Sequence, residues 1–228
     1  YIQAASLASK YFIAYDSDVN RLHVWDGTTL RRAGMTLATN CTVAVLGAGA
    51  ITATRFFRMR YVELSGTTVV RRSEPSPVPV SLAIVAAAGW RITKGAAINE
   101  GETHWEVEAA DALAGPWYRI AQTIVATTTF DDTSATIPTT NLSDIAGSYI
   151  PPPSAKYIIS DTNRLVMAGA WETSTATGQT AVKTNRVWFT PVLGSTDEGD
   201  DERIPNTVDQ QNWIDVGNEG PVTGLIGP

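Results

Sequence analysis

Histidine is scarce in this 228-residue sequence: His23 and His104 are the only two. Any Ser-His-Asp triad, histidine-held metal or histidine general base would have to use one of them. Each alternates with apolar neighbours in a strand-like stretch, away from any Gly-rich elbow or partner motif, so neither is expected to act chemically. Asp16-x-Asp18-x-Asn20 has the opening spacing of a calcium loop, in which several oxygens converge on one tight turn. Arg21 stands where that loop has Gly, and Gly27 where it has Glu, so the segment reads as a hairpin turn with Asp and Asn capping backbone amides. Gly47-Ala48-Gly49 lacks the third glycine and the βαβ setting of a dinucleotide site and reads as a turn. The single Cys41 excludes an internal disulfide or a multi-cysteine metal site and reads as a small buried residue. No carboxylate pair lies in an apolar motif that would raise a pKa. The chain is therefore expected to be no enzyme, with no catalytic residue, no metal site and no cofactor.

Charge is more informative. Arg55, Arg58, Arg60, Arg71 and Arg72 fall on two neighbouring strand-like segments, which would place several guanidinium groups on one exposed face. Such a face either contacts an acidic neighbour or phosphate, or stays solvated and discourages edge-to-edge pairing. No aromatic residues interleave it as in a single-strand binding platform. The acidic run Asp197–Glu202, which includes Asp200 and Asp201, reads as a solvated loop, or as a cation site or a lumen lining that repels DNA. The net charge of −6 is unevenly distributed: residues 1–94 hold eleven Lys or Arg against five Asp or Glu, and residues 95–228 hold six against eighteen. General nucleic-acid binding is disfavoured by this balance. A dipolar chain suits head-to-tail packing, with the arginine cluster facing Asp200, Asp201 and Glu202 of the next copy.

These groups sit in a β-rich frame. Hydrophobic residues make up 43%, charged residues 18%, and 29 threonines accompany many Val and Ile, which favour strands. No apolar run reaches the roughly 20 residues of a membrane helix, so no membrane association is expected. The phrase Asn-Arg-Leu or Asn-Arg-Val recurs at Asn20-Arg21, Asn163-Arg164 and Asn185-Arg186, with 143 residues between the first two copies and 22 between the last two. That spacing suggests a repetitive β-fold interrupted by an insertion, with Asn in the left-handed turn conformation and Arg reaching to the next hairpin. Residues 1–35 read as a hairpin of Tyr11–Tyr15 and Leu22–Trp25 closed at Asp26-Gly27. Residues 36–147 carry about seven strands, among them Arg55–Glu63, Trp90–Thr93, Thr103–Ala109, Trp117–Gln122 and Thr127–Phe130, in the pattern of a sandwich. The proline-rich stretch 73–79 reads as an edge or connector, and Ala109–Ala114 as a short helix. After the stiff Pro151-Pro152-Pro153, residues 148–228 return to hairpins. The chain reads as a piece of something longer.

Phe56-Phe57-Arg58-Met59-Arg60-Tyr61-Val62 with Arg72-Ser73-Glu74-Pro75-Ser76-Pro77 resembles the last two strands of a fibronectin type III module. Trp90–Thr93, His104–Glu108, Trp117–Ile120 and Thr129–Thr133 resemble its earlier strands, in permuted order. Asn20–Gly27, Pro152–Tyr157 with Asn163–Gly169, Asn185–Phe189 and the acidic loop Asp197–Glu202 resemble the propeller-type tail proteins of tailed bacteriophages, of the nozzle or tail-tube-end class. The expected fold is all-β, with propeller-like hairpins flanking an inserted fibronectin III or Ig-like β-sandwich. The resemblance implies a virion structural protein, made in the host cytoplasm, that forms a homo-oligomeric ring with other virion proteins and contacts DNA at most by passage. The rival expectation is an extracellular adhesion or carbohydrate-binding module that stacks sugars on Trp25, Trp117 or Trp171.

Overall fold

A computed structural model describes residues 2–15, 21–170, 183–194, 199–217 and 220–226. The Asp16–Asn20 turn, Trp171 and Asp197 lie outside the described residues. Along the chain, strands β1 (Ile2–Leu7), β2 (Lys10–Tyr15), β3 (His23–Trp25) and β4 (Leu30–Arg32) form one antiparallel meander in the order β1-β2-β3-β4. There follow β5 (Thr42–Val45), β6 (Ala48–Ser65), β7 (Thr68–Arg72), β8 (Val80–Ala87), β9 (Trp90–Thr93), β10 (His104–Ala110), β11 (Tyr118–Ile124) and β12 (Thr129–Asp132). They build a sheet ordered β11-β10-β6-β7, with β8 also on β6, and a three-stranded sheet ordered β12-β9-β5. The last meander is β13 (Tyr157–Asp161), β14 (Arg164–Ala170), β15 (Lys183–Phe189) and β16 (Trp213–Asp215). The fold is all-β; a single 3₁₀ turn, Asp200–Glu202, is the one helical element among the described residues.

The chain divides into two compact units: Tyr1–Thr36 with Gly147–Pro228, and Leu37–Ala146. In the first, period-two alternation gives each meander an apolar inner face. Phe12, Ala14, Leu22 and Val24 from one meander share a core with Ile158, Leu165, Met167 and Trp188 from the other. Two-residue turns join β1 to β2 and β13 to β14, with positive φ at Ala8 and Ser9 (52° and 61°) and at Thr162 and Asn163 (47° and 58°). Paired left-handed residues match the right-handed twist of the strands they connect.

The second unit is a two-sheet arrangement in which Phe57, Met59 and Tyr61 of β6 face the smaller sheet. The Phe57 and Trp90 rings lie 5.9 Å apart, and the Tyr61 hydroxyl donates to the Gly95 and Ala96 carbonyls at 2.9 Å. β6 runs for 18 residues, far beyond the segment expected from Arg55. Its start passes so close to the Ala87–Ala88 backbone that a Cβ on Gly49 would lie 2.5 Å from the Ala88 Cα, so glycine is required in the strand and not only in a turn. Stretch 73–79 is a connector: Ser73 and Ser76 side chains accept from the Tyr61 and Met59 amides along β6, at 2.9 and 3.2 Å. The helix expected over Ala109–Ala114 does not form. Ala109 and Ala110 complete β10, where they are fully buried, because continuing the Trp105, Val107, Ala109 alternation fills the core and one or two turns cannot repay helix nucleation.

Gly34 and Pro151, close to the two junctions between the units, pack together in the first unit. A Cβ on Gly34 would lie 2.8 Å from that of Pro151 and 2.7 Å from the Glu202 carbonyl oxygen. We therefore predict that replacing residues 37–146 with a short Gly-Ser linker leaves the first unit folded. Near-UV circular dichroism and a cooperative melt are the readouts, and a molten product would refute the prediction.

Candidate functional site

The arginine cluster does not form an exposed face. Arg55, Arg58, Arg60 and Arg71 are buried, and Arg72 is nearly so. The cluster is also split by the pleat. Arg58 and Arg60 project from the side of β6 opposite Phe57 and Met59, whereas Arg55 shares the core side, pairs with Asp132 and stacks 4.4 Å from the Trp90 ring centre. Arg71 bonds Glu63 on the neighbouring strand at 2.6 Å and donates to the Glu100 carbonyl at 2.6 Å. The alternation in β6 therefore reports two buried faces, one hydrocarbon and one ionic.

The ionic face is built from cross-strand neighbours. Glu108 lies opposite Arg58, and Glu106 opposite Arg60, in the β10–β6 register. Glu108 takes the Arg58 Nε–H on one carboxylate oxygen and the Arg60 Nε–H on the other, the latter at 2.6 Å. Glu106 Oε1 collects Arg119 at 2.8 Å, Gln122 at 3.1 Å and Arg72 at 3.2 Å. The segment Asn141–Asp144 lies over this face. Its Asp144 carbonyl accepts from Arg60 at 2.5 Å and from Arg58 at 3.3 Å, and backbone bonds tie Arg119 to Asn141 and Ser143 to Trp117. Trp117 lies 4.4 Å beneath the Arg58 guanidinium and is only 9% exposed, so it offers no stacking surface for a sugar. Burial lowers the Arg58 pKa, Glu108 works against that shift, and Arg60 adds to it.

The acidic run is likewise no solvated loop where it is described. Asp200, Asp201 and Glu202 form a buried 3₁₀ turn. Glu202 holds Arg31 through both oxygens at 2.6 and 2.8 Å, accepts the Gly34 amide at 3.0 Å, and lies 2.8 Å from Lys10. Asp201 lies 2.7 Å from Lys10, and Asp200 takes Arg203 at 2.8 Å. These carboxylates tie the first meander to a segment some 170 residues later. Burial raises the Asp201 pKa, with Lys10 only partly offsetting it. Burial opposes the Lys10 ammonium, but Glu202 and Asp201 together outweigh it and hold its pKa above the ordinary 10.5. An interface of the arginine cluster with Asp200, Asp201 and Glu202 of another copy would have to break pairs already closed within each unit.

Of the Asn-Arg phrases, Asn20 lies outside the described residues, while Arg21 is buried at the approach to β3. Asn163 takes the left-handed turn position and Arg164 stacks 5.1 Å from the Phe189 ring. Asn185 is not in a turn: it lies within β15 and donates to the Gly217 carbonyl at 2.7 Å. Arg186 bonds Asp215 on β16 at 2.7 and 3.0 Å and lies 3.3 Å from the Trp213 ring centre. His23 donates its Nδ1 proton to the Arg21 carbonyl at 2.9 Å, and burial lowers its pKa. His104 Nδ1 meets the Thr103 hydroxyl at 2.9 Å. Among the described residues, no three His, Cys, Asp or Glu side chains are placed to hold a metal ion, and no helix is long and apolar enough to cross a membrane. Burial pushes the Cys41 thiol up to about 11.

The residues that matter most here, Glu106, Glu108, Lys10 and Arg31, carry one usable sequence signal. Arg58-x-Arg60 and Glu106-x-Glu108 repeat opposite charges at the same period of two, which is what facing positions on paired strands require. What the geometry defines is an all-β protein of open antiparallel sheets held by buried ion pairs. No protein-family model matches the chain, and no curated protein matches its sequence.

Glu108→Ala should destabilise the second unit by about 3–5 kcal/mol, because it removes the carboxylate that two buried guanidinium groups share. A loss below about 1 kcal/mol in denaturant unfolding would show that the network is not structural. For Lys10, a pKa raised by folding stabilises the native state below about pH 10.5, and that stability is lost as pH rises through the folded value. Lys10→Met should therefore cost on the order of 2–3 kcal/mol at pH 7, leaving Asp201 and Glu202 without it. The variant should also lose less stability than the parent chain between pH 9 and 11.5 (~ values set by the ordinary lysine pKa). Equal alkaline slopes would contradict the assignment.

Proposed function

We propose that this chain is a non-enzymatic structural component of a tailed-phage virion, of the tail nozzle or head-to-tail region, and contributes to a ring-shaped conduit through which DNA passes. The observation that carries this proposal is the pair of four-stranded antiparallel meanders, β1–β4 and β13–β16, whose inner faces share one core. Consecutive propeller blades pack in this way. The eight strands β5–β12, five in the sheet of β11-β10-β6-β7 with β8 on β6 and three in β12-β9-β5, lie in two antiparallel sheets and support a fibronectin III-like sandwich with one added strand between the meanders, with the β6–β7 pair preceding β9–β12 in permuted order. Among the described residues no sheet closes on itself, so the ring would come from several copies. Ile214 and Val216, exposed on and beside edge strand β16, offer apolar contacts to a neighbour. The internal pairing of so many charges fits a scaffold better than a reactive site.

Size-exclusion chromatography with light scattering tests the proposal. Rings of many copies should form at micromolar concentration, and Ile214→Asp should shift them toward monomer while leaving the circular dichroism spectrum unchanged. A chain that stays monomeric at high concentration, alone and with other virion proteins, would overturn it.

A further inference from the structure

We propose that a cleft at one end of the first unit, between the β1–β2 and β13–β14 turns, binds a neutral saccharide. The cleft encloses about 650 Å³ and is lined by Ser6–Tyr11 on one side and Ser160–Asn163 on the other. That volume is within the range of small-molecule sites. Both walls are two-residue turns with successive left-handed residues, a geometry fixed before any ligand arrives.

The lining chemistry narrows the ligand class. Hydroxyls of Ser6, Ser160 and Thr162, the Asn163 amide and the Asp161 carboxylate supply donors and acceptors together, as a polyol requires. An anion is disfavoured because the cation of this cleft, Lys10, already lies 2.7 and 2.8 Å from Asp201 and Glu202. A metal ion is disfavoured because Asp161 is the one carboxylate in the lining, and it already takes the Thr162 hydroxyl at 2.9 Å.

An exposed row with two aromatic members extends from the cleft. Tyr11 lines it and is 57% exposed. Directly across the strands, Ser6 faces Tyr11, Tyr11 faces Trp25, and Trp25 faces Leu30. Trp25 and Leu30 are exposed as well. At about 4.8 Å per strand, the row from Ser6 to Leu30 spans roughly 14 Å, with Tyr11 and Trp25 as its two adjacent aromatic members. Flat aromatic surface for the C–H faces of a sugar beside a hydroxyl-rich cleft for its polar edge is the combination a saccharide uses. Trp25 is thus the one tryptophan of the three candidates that is both described and accessible.

The test presents the full chain to a printed array of neutral bacterial and host oligosaccharides, and then follows the best ligand by saturation-transfer NMR. We expect at least one neutral saccharide to bind with a Kd of about 0.1–10 mM, receiving saturation from aromatic protons. Tyr11→Ala should weaken binding about tenfold while Tyr11→Phe retains most of it. Asn163→Gly, which keeps the left-handed turn, should weaken it about threefold. Trp25→Ala should weaken a disaccharide but not a monosaccharide. Absence of any neutral ligand at 10 mM (~ the weak end of that range), retention of acidic sugars alone, or unchanged affinity in both Tyr11→Ala and Asn163→Gly would overturn the proposal.

Discussion

Burial of both faces of one sheet is the constraint from which the second unit follows. Strand β6 puts Phe57, Met59 and Tyr61 into hydrocarbon and Arg58 and Arg60 against carboxylates, all nearly inaccessible to water. A slip of one residue in the β6–β10 pairing would carry arginines into the apolar core and aromatics onto Glu106 and Glu108, so register is fixed from both sides at once. Buried ion pairs contribute little net stability compared with well-packed apolar residues, because desolvation consumes most of the Coulombic gain. Their effect here is selective: they make every other pairing worse.

The first unit solves a related problem across a longer separation. Its two meanders share a core, but the shared core alone does not fix how the segment around residue 202 returns to β2 and β4. Glu202 does so by meeting Arg31, Lys10 and the Gly34 amide at one point. A carboxylate with this many donors is specific in position as well as charge, since a bidentate arginine tolerates little displacement. In both units, then, apolar alternation forms the sheets and a buried carboxylate decides how they are assembled.

Strand type and position were largely legible from the sequence, and charge placement was not. Trp90–Thr93 matches its strand residue for residue, and the β10 and β11 segments differ by a few residues at their ends, because alternation and turn residues are local signals. Arg58 and Arg60 alternate with aromatics just as solvent-facing residues do, and nothing local distinguishes water from a facing glutamate 48 or 50 residues away. Asp200–Glu202 illustrates the same limit: three adjacent acids look solvated until the distant Lys10 and Arg31 are brought to them. The Asn-Arg phrase misled in the opposite direction. Its copies at Asn163 and Asn185 look alike, yet one occupies a turn and the other the interior of β15, because φ follows from what each strand pairs with. The cleft is illegible for a simpler reason, since its two walls lie about 150 residues apart in the chain.

The lengths of chain between contacting partners also set an order of events during synthesis. Every strand of the second unit has left the ribosome once residue 132 has emerged, whereas the Glu202 clamp on Gly34 spans 168 residues and must wait until Glu202 has emerged. Domains generally fold as units while translation proceeds, and long-range contacts form late. The middle unit can therefore be complete while β1–β4 still lack their partner meander, and its folding replaces a long flexible loop with a compact body. Loop-closure cost grows only logarithmically, by about 0.6 kcal/mol per doubling of length, so the benefit is modest in equilibrium terms. In time it is larger: between synthesis of β4 and of β13, the apolar inner face of Phe12, Leu22 and Val24 stands uncovered, and that interval is when the nascent chain is most open to capture by a chaperone or by another copy.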